Sequence, residues 1–195
     1  MNRIIDTGKS FLDVYTVDDY NELMSLCIEE IQYGLIVNPK IKIFGKDAIQ
    51  HRSVGFFSDT SGGYYFSGQL AASSPLTPNL TVLLEKINTL FKSNFTGILV
   101  NKYNDGLDYI GAHSDKTQHL DNSHGVVAIS YGAVRKFRIK NKITKEKVVD
   151  VPTLPNSIIH MGGEFQKEFT HEIPIEKKIK EVRYSLTLRK HRPPY

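Results

Sequence analysis

With 195 residues and 40% hydrophobic side chains spread along its length, the chain is sized for one domain with its own core and is not a disordered protein. Its single cysteine, Cys27, excludes an intramolecular disulfide and every cysteine-based zinc site, and points to an intracellular protein. The net charge of +4 is uneven: residues 1–95 carry 8 Lys and Arg against 10 Asp and Glu, or −2, whereas residues 96–195 carry 17 against 11, or +6.

The N-terminal MNRIIDTGKS lacks the apolar stretch of a secretory signal, and no apolar run nears the roughly 18 residues of a membrane span. Thr16-Val-Asp-Asp19 reads as a capping box for a helix with Leu23, Met24, Cys27, Ile28 and Ile31 on its apolar face and Gly34 as its stop. Short strands are predicted over 41–44, 54–57 and 64–66. Thr77 caps a second helix that starts at Pro78, with the stripe Leu80, Leu83, Leu84, Ile87, Leu90 and Phe91. Beyond Phe95, strand-like runs follow over 97–103, 126–131, 136–139, 147–151, 157–161, 169–173 and 182–188. This pattern predicts a mostly-β (α+β) fold, a sandwich or barrel with the two helices packed outside. Residues 135–147 hold seven basic side chains and one acid, which suits either a polyanion partner or a solvated hairpin.

His113-Ser-Asp115 places an imidazole and a carboxylate two residues apart, on one face of a strand. A third ligand from a distant strand would complete a 2-His-1-carboxylate triad, the arrangement of non-haem Fe(II) oxygenases. His160 and His171 are both candidates. His119-Leu-Asp121 repeats the spacing, but in a polar stretch that reads as surface loop. Arg183, Ser185, Thr187 and Arg189 share one face of a strand, while Val182, Tyr184, Leu186 and Leu188 share the other. Two arginines on one face of a core-like strand suit the carboxylates of a small diacid, or a solvent-facing edge. Asn101 and Tyr103 also share a strand face just upstream.

Together these segments resemble the AlkB family of Fe(II)/2-oxoglutarate dioxygenases. The match runs through Asn101-Lys-Tyr103-Asn-Asp-Gly106, Ile110-Gly-Ala-His113-Ser-Asp115, Ser130-Tyr-Gly132-Ala-Val-Arg135-Lys-Phe137, His171-Glu-Ile-Pro174 and Arg183-Tyr-Ser-Leu-Thr-Leu-Arg189. The resemblance implies a double-stranded β-helix (jelly roll) over 96–192, with helices and a nucleotide-recognition lid in 1–95. It selects His171 over His160, so that His113, Asp115 and His171 would bind Fe(II). Arg183 would pair the distal carboxylate of 2-oxoglutarate with Tyr103 nearby, and Arg189 and Asn101 would steady its metal-chelating end. Ser185 stands where the family often has Asn.

The resemblance also implies a substrate surface. Ile43-Phe44-Gly45-Lys46 and Arg52 match a hairpin of the family members that repair duplex DNA, in which the Phe is a wedge filling the gap left by a flipped base. Read without the family, Phe44 is better explained by core packing. Tyr64, Phe66 and Ser67 match a lid strand, with Phe66 stacking on the damaged base opposite His113. Lys136, Arg138, Lys140 and Lys142 would grip phosphates, while Arg135 belongs to a strand turn. Thr117 stands where some relatives place an acid, which leaves base preference open. The implied reaction is oxidative demethylation with O2, releasing succinate, CO2 and formaldehyde, on 1-methyladenine or 3-methylcytosine in double-stranded DNA. A monomer is expected. The alternatives are the same core acting on RNA or protein, and a non-catalytic nucleic-acid-binding barrel.

Overall fold

The computed structural model describes residues 1–43, 45–66, 69–115 and 120–192, with backbone alone at 18, 43, 65, 66 and 69. The strands β1 (Asn2–Asp6) and β2 (Ser10–Thr16) lead into α1 (Asn21–Ile31). Six short strands follow: β3 (Ile36–Val37), β4 (Lys40–Ile43), β5 (Lys46–Ile49), β6 (Ser53–Phe57), β7 (Gly63–Phe66) and β8 (Gln69–Ala72). After α2 (Pro78–Phe91) come β9 (Gly97–Tyr103), β10 (Ile110–His113), β11 (Leu120–Asp121), β12 (Val126–Gly132), β13 (Lys136–Asn141) and β14 (Lys147–Pro152). The order closes with β15 (Ser157–Gly163), a single turn α3 (Phe165–Glu168), β16 (Phe169–Ile173) and β17 (Arg183–His191).

Two antiparallel sheets face each other. The larger runs β1-β2-β15-β12-β17-β9-β6-β3, with β11 against β17; the smaller runs β10-β16-β13-β14; β4–β5 and β7–β8 stand apart as hairpins. Strand alternation sorts the core into two layers. Val127 and Ile129 of β12, Leu186 and Leu188 of β17, and Ile98 and Val100 of β9 meet Met24, Cys27 and Ile31 of α1 and Leu80, Leu83 and Ile87 of α2. On the opposite face, Val126, Ile159 and Met161 meet Phe137, Ile139, Phe169 and Ile173 of the smaller sheet. Each fully buried aliphatic chain in these layers contributes roughly 1.5–3 kcal/mol. This is the jelly roll that the family resemblance implied, with helices outside the larger sheet.

The expected strand at 97–103 and the one at 169–173 form as predicted, and most others extend by one to three residues. The hairpin of β1 and β2 was not anticipated. It also displaces the first helix cap. Thr16 ends β2 opposite Ser157, so its backbone is committed to the sheet; a 3-10 turn over Asp18–Tyr20 intervenes, and α1 starts after Tyr20 without a side-chain cap. α2 does begin as expected, with Thr77 Oγ1 accepting from Leu80 N and Pro78 in the first turn. Of its stripe, Leu90 is exposed while Leu84 and Phe91 are half-buried.

Candidate active site

β10 and β16 pair so that His113 lies directly opposite His171, with ring centroids 4.4 Å apart. Asp115 follows two residues later, in a turn pinned by Ser114 Oγ donating to Phe169 O at 2.7 Å and by Asp115 N donating to Gln166 Oε1 at 2.8 Å. The Nε2 atoms of His113 and His171 each lie 4.0 Å from Asp115 Oδ1, and the three ligand atoms lie within 4.8 Å of one another. Arg189 holds the other carboxylate oxygen, Oδ2, through Nε at 3.0 Å and Nη2 at 2.8 Å. Oδ1 is buried with no hydrogen-bond partner among the described residues. The carboxylate is thus divided, one oxygen tied back and one left for a cation. His113 Nδ1 sits 2.8 Å from Gly111 O. A carbonyl only accepts, so Nδ1 carries the proton and Nε2 keeps its lone pair for a metal.

The protonation states suit a divalent ion. Burial lowers the His113 pKa, and burial together with the neighbouring His113 takes His171 down to about 3. Burial opposes ionisation of Asp115, but the Arg189 guanidinium and then the two imidazoles prevail, at about 2. Neutral pH therefore finds two neutral imidazoles and one carboxylate, with no proton to displace.

Beside the triad lies a cavity of about 280 Å³ whose walls include Asn101, Tyr103, Arg183, Ser185, Thr187 and Arg189. Register explains the grouping: Tyr103 pairs with Arg183, and Asn101 with Ser185. Arg183 is buried, with Nε on Thr153 Oγ1 and Nη2 on Ser130 Oγ, both at 3.1 Å, and its guanidinium 5.2 Å from the Tyr103 ring centroid. None of these partners is a carboxylate, and burial pushes Arg183 down to about 10. Nη1 of Arg183 and Nη1 of Arg189 are buried without partners among the described residues. Unfilled donors on two buried cations fit a small dicarboxylate, and the orphaned Asp115 Oδ1 fits a metal.

Of the two histidines left open as third ligand, His160 is elsewhere. Its Nε2 meets His124 O at 2.8 Å and its ring packs edge-on against Phe11 and Phe91. In the second His-x-Asp match, Asp121 caps Ser123 N at 2.9 Å and pairs with Lys190, while His119 lies outside the described residues. Arg135 is fully buried and donates to Asp105 O, Asp108 O and Pro174 O, clasping two loops that also meet at Gly106, where a Cβ would fall 1.9 Å from Glu176 O.

The expected substrate residues divide. Tyr64 is buried on β7 with its ring centroid 5.0 Å from the Arg189 guanidinium, and it lines the cavity. Arg52 also lines the cavity and donates from Nε to Asn101 Oδ1 at 2.8 Å. Phe44, Ser67 and the Phe66 side chain lie outside the described residues, as does Thr117. The basic face of β13 is largely paired. Arg138 meets Asp150 at 2.7 Å and Glu172 at 3.7 Å, Lys140 meets Glu172 at 2.9 Å, and Lys136 meets Glu176 at 3.6 Å. Lys142 donates to Gln166 O at 2.8 Å. Gln166 and Thr153, which position Asp115 and Arg183, were not among the expected site residues. Single polar residues outside any motif leave no sequence signal.

Comparison with known proteins agrees with this geometry. Residues 22–189 match the 2OG-Fe(II) oxygenase superfamily. The chain is 26% identical over 188 residues to human DNA oxidative demethylase ALKBH2, covering 93% of this chain and 72% of that protein. It is 28% identical over 172 residues to the mouse protein of the same name, covering 85% and 72%. A solved structure described as OsALKBH1 superposes with a TM-score of 0.61 at 14% identity, over 97% of this chain and 100% of that one, which bears on the fold alone. With the iron-ligand triad and the paired arginines already in place, the match establishes that the chain belongs to the 2OG-Fe(II) oxygenase superfamily and, within it, to the AlkB family, as an Fe(II)/2-oxoglutarate-dependent dioxygenase.

Proposed function

We propose that the chain is a DNA oxidative demethylase that removes N-methyl groups from bases such as 1-methyladenine and 3-methylcytosine, acting on alkylated duplex DNA as an intracellular monomer. The observation that carries the reading is one cavity in which the two histidines of the triad, two buried arginines and residues of the β7–β8 hairpin adjoin. Ile36 and Leu70 line it and are more than half exposed, so they mark its mouth. The names of the human and mouse relatives support DNA as the substrate.

His113, Asp115 and His171 would hold iron, and Arg183, Asn101, Tyr103, Ser185 and Arg189 would hold 2-oxoglutarate. When bound, iron, 2-oxoglutarate and O2 supply the oxidation that hydroxylates the methyl carbon, with succinate, CO2 and formaldehyde as products. The chain's own part is placement. Arg183 neutralises a carboxylate in a buried site, Arg189 keeps Asp115 Oδ2 occupied, and Tyr64 offers an aromatic wall to a base that has left the stack.

Mass spectrometry of methylated single- and double-stranded DNA and RNA oligomers tests the reading. The expected result is loss of the methyl mass from methylated duplex DNA, dependent on Fe(II) and 2-oxoglutarate and absent in His171→Ala. Demethylation of RNA alone would overturn it. Phe44→Ala is expected to reduce activity on duplexes at least tenfold more than on single strands, by loss of the wedge; equal losses would remove the wedge from the proposal.

A further inference from the structure

Arg52 lies between the β4–β5 hairpin and β6 and reaches into the site. It precedes β6, two residues before Val54, and both line the cavity. β6 pairs with β9 so that Val54 lies opposite Asn101, while the other edge of β9 places Asn101 opposite Ser185. Arg52 Nε donates to Asn101 Oδ1 at 2.8 Å, and both side chains are buried. A guanidinium N–H only donates, so this bond decides which end of the amide is oxygen. Nδ2, which has no partner among the described residues, is the end left for the cavity. A carboxylate there needs a donor; a flipped amide would offer it an oxygen instead.

We infer that Arg52 is a positioning residue for the dicarboxylate cosubstrate, acting through Asn101 by holding its amide N–H2 toward the acid. The family resemblance assigns Arg52 to the nucleic acid; the bond to Asn101 links it to the opposite end of the reaction. The inference rests on the cosubstrate of the superfamily and is independent of which methylated substrate is used.

The test is an anaerobic titration of the Fe(II)-loaded protein with 2-oxoglutarate, read by the visible charge-transfer band, on the wild type, R52M, R52Q, N101A and the double variant R52M/N101A. Thermal melting checks that each is folded; R52Q, which retains a donor, should bind 2-oxoglutarate more tightly than R52M, and R52A takes the place of R52M if R52M does not fold. R52M and N101A are each expected to raise the Kd for 2-oxoglutarate by about tenfold, equivalent to about 1.4 kcal/mol. The double variant should be within about twofold of either single one, because both act through the same amide. Fe(II) affinity should stay within about twofold, and affinity for a methylated duplex is followed in parallel by fluorescence anisotropy. An unchanged Kd for 2-oxoglutarate, or effects that multiply in full in the double variant, would overturn the inference. Weakened duplex binding with unchanged 2-oxoglutarate binding would make Arg52 a nucleic-acid contact instead. A protein inactive on every methylated DNA would still yield these constants, so the two proposals fail separately.

Discussion

At the scale of single residues, the site is a set of polar atoms held short of satisfaction. Asp115 Oδ1, Arg183 Nη1 and Arg189 Nη1 are all buried and, among the described residues, unpartnered. Leaving such groups unmade costs about 1–3 kcal/mol each, more for charges, and a bound ion and diacid return that cost. His191 adds a cost of another kind. It is buried between Phe56 and Tyr64, its Nε2 has no partner, and burial with the nearby Arg189 lowers its pKa from 6.5 to about 4. Between those values the unfolded chain takes up a proton that the native one refuses, so stability falls as pH drops from about 6.5 to about 4. The melting temperature of the metal-free protein is expected to decline over that range, and less steeply in His191→Gln; identical slopes would remove His191 as a source. At this scale much was legible in advance. The alternation along 183–189 is the strand period itself, so the shared face of the two arginines could be read directly, while its facing inward came with the family resemblance. Gln166 and Thr153 could not, because each acts by one hydrogen bond to a residue 51 or 30 positions away.

At the scale of elements, the helices support the sheet that carries Arg183 and Arg189 from behind. α1 and α2 cover the face of the larger sheet opposite the cavity, and Ile129 and Leu186 at that interface have no exposure. Their register partners on β12 and β17 are one another, next to the Ser130 and Ser185 pair that faces the cavity. Ile129→Ala is expected to cost about 2–5 kcal/mol in urea unfolding through the cavity it leaves. An exposed control, Leu90→Ala, should cost less than about 0.5 kcal/mol; a comparable loss there would contradict the placement of α2. Both helices were legible from their 3.6-residue stripes. The start of α1 was not, since Thr16 serves equally as a cap or as the end of a strand, and only the partner at Ser157 decides. That partner is 141 positions away and carries no local signal.

At the scale of the whole molecule, the charge asymmetry seen at the outset resolves into two populations. Arg183 and Arg189 are buried and face the cavity, while Lys136, Arg138 and Lys140 lie on the outer sheet against Glu172, Glu176 and Asp150. The run of basic residues was plain in the sequence, but its partners come from β14, β16 and the loop after it, so net charge overstated what is available to phosphates. Lys140→Ala is therefore expected to change the slope of log Kd against log salt for DNA by well under the ~0.9 of a full phosphate contact. A change of that full size would mean that the lysine leaves Glu172 for the DNA.

The place of β17 in both the chain and the sheet has a consequence for how the protein comes into being. This strand follows every other strand in the chain, yet it lies between β12 and β9 in the middle of the larger sheet and bears both arginines. Until residues 183–191 join, β12 and β9 each present an open edge, and neither half of the carboxylate clamp exists. Completion of the sheet and acquisition of the cosubstrate site are thus one event, and the pairing of β9 with β17 closes a loop of most of a hundred residues. A partly folded chain holding His113, Asp115 and His171 would lack Arg189 to tie back Asp115. The strand that completes the sheet therefore also supplies the residue that orders the iron-site carboxylate.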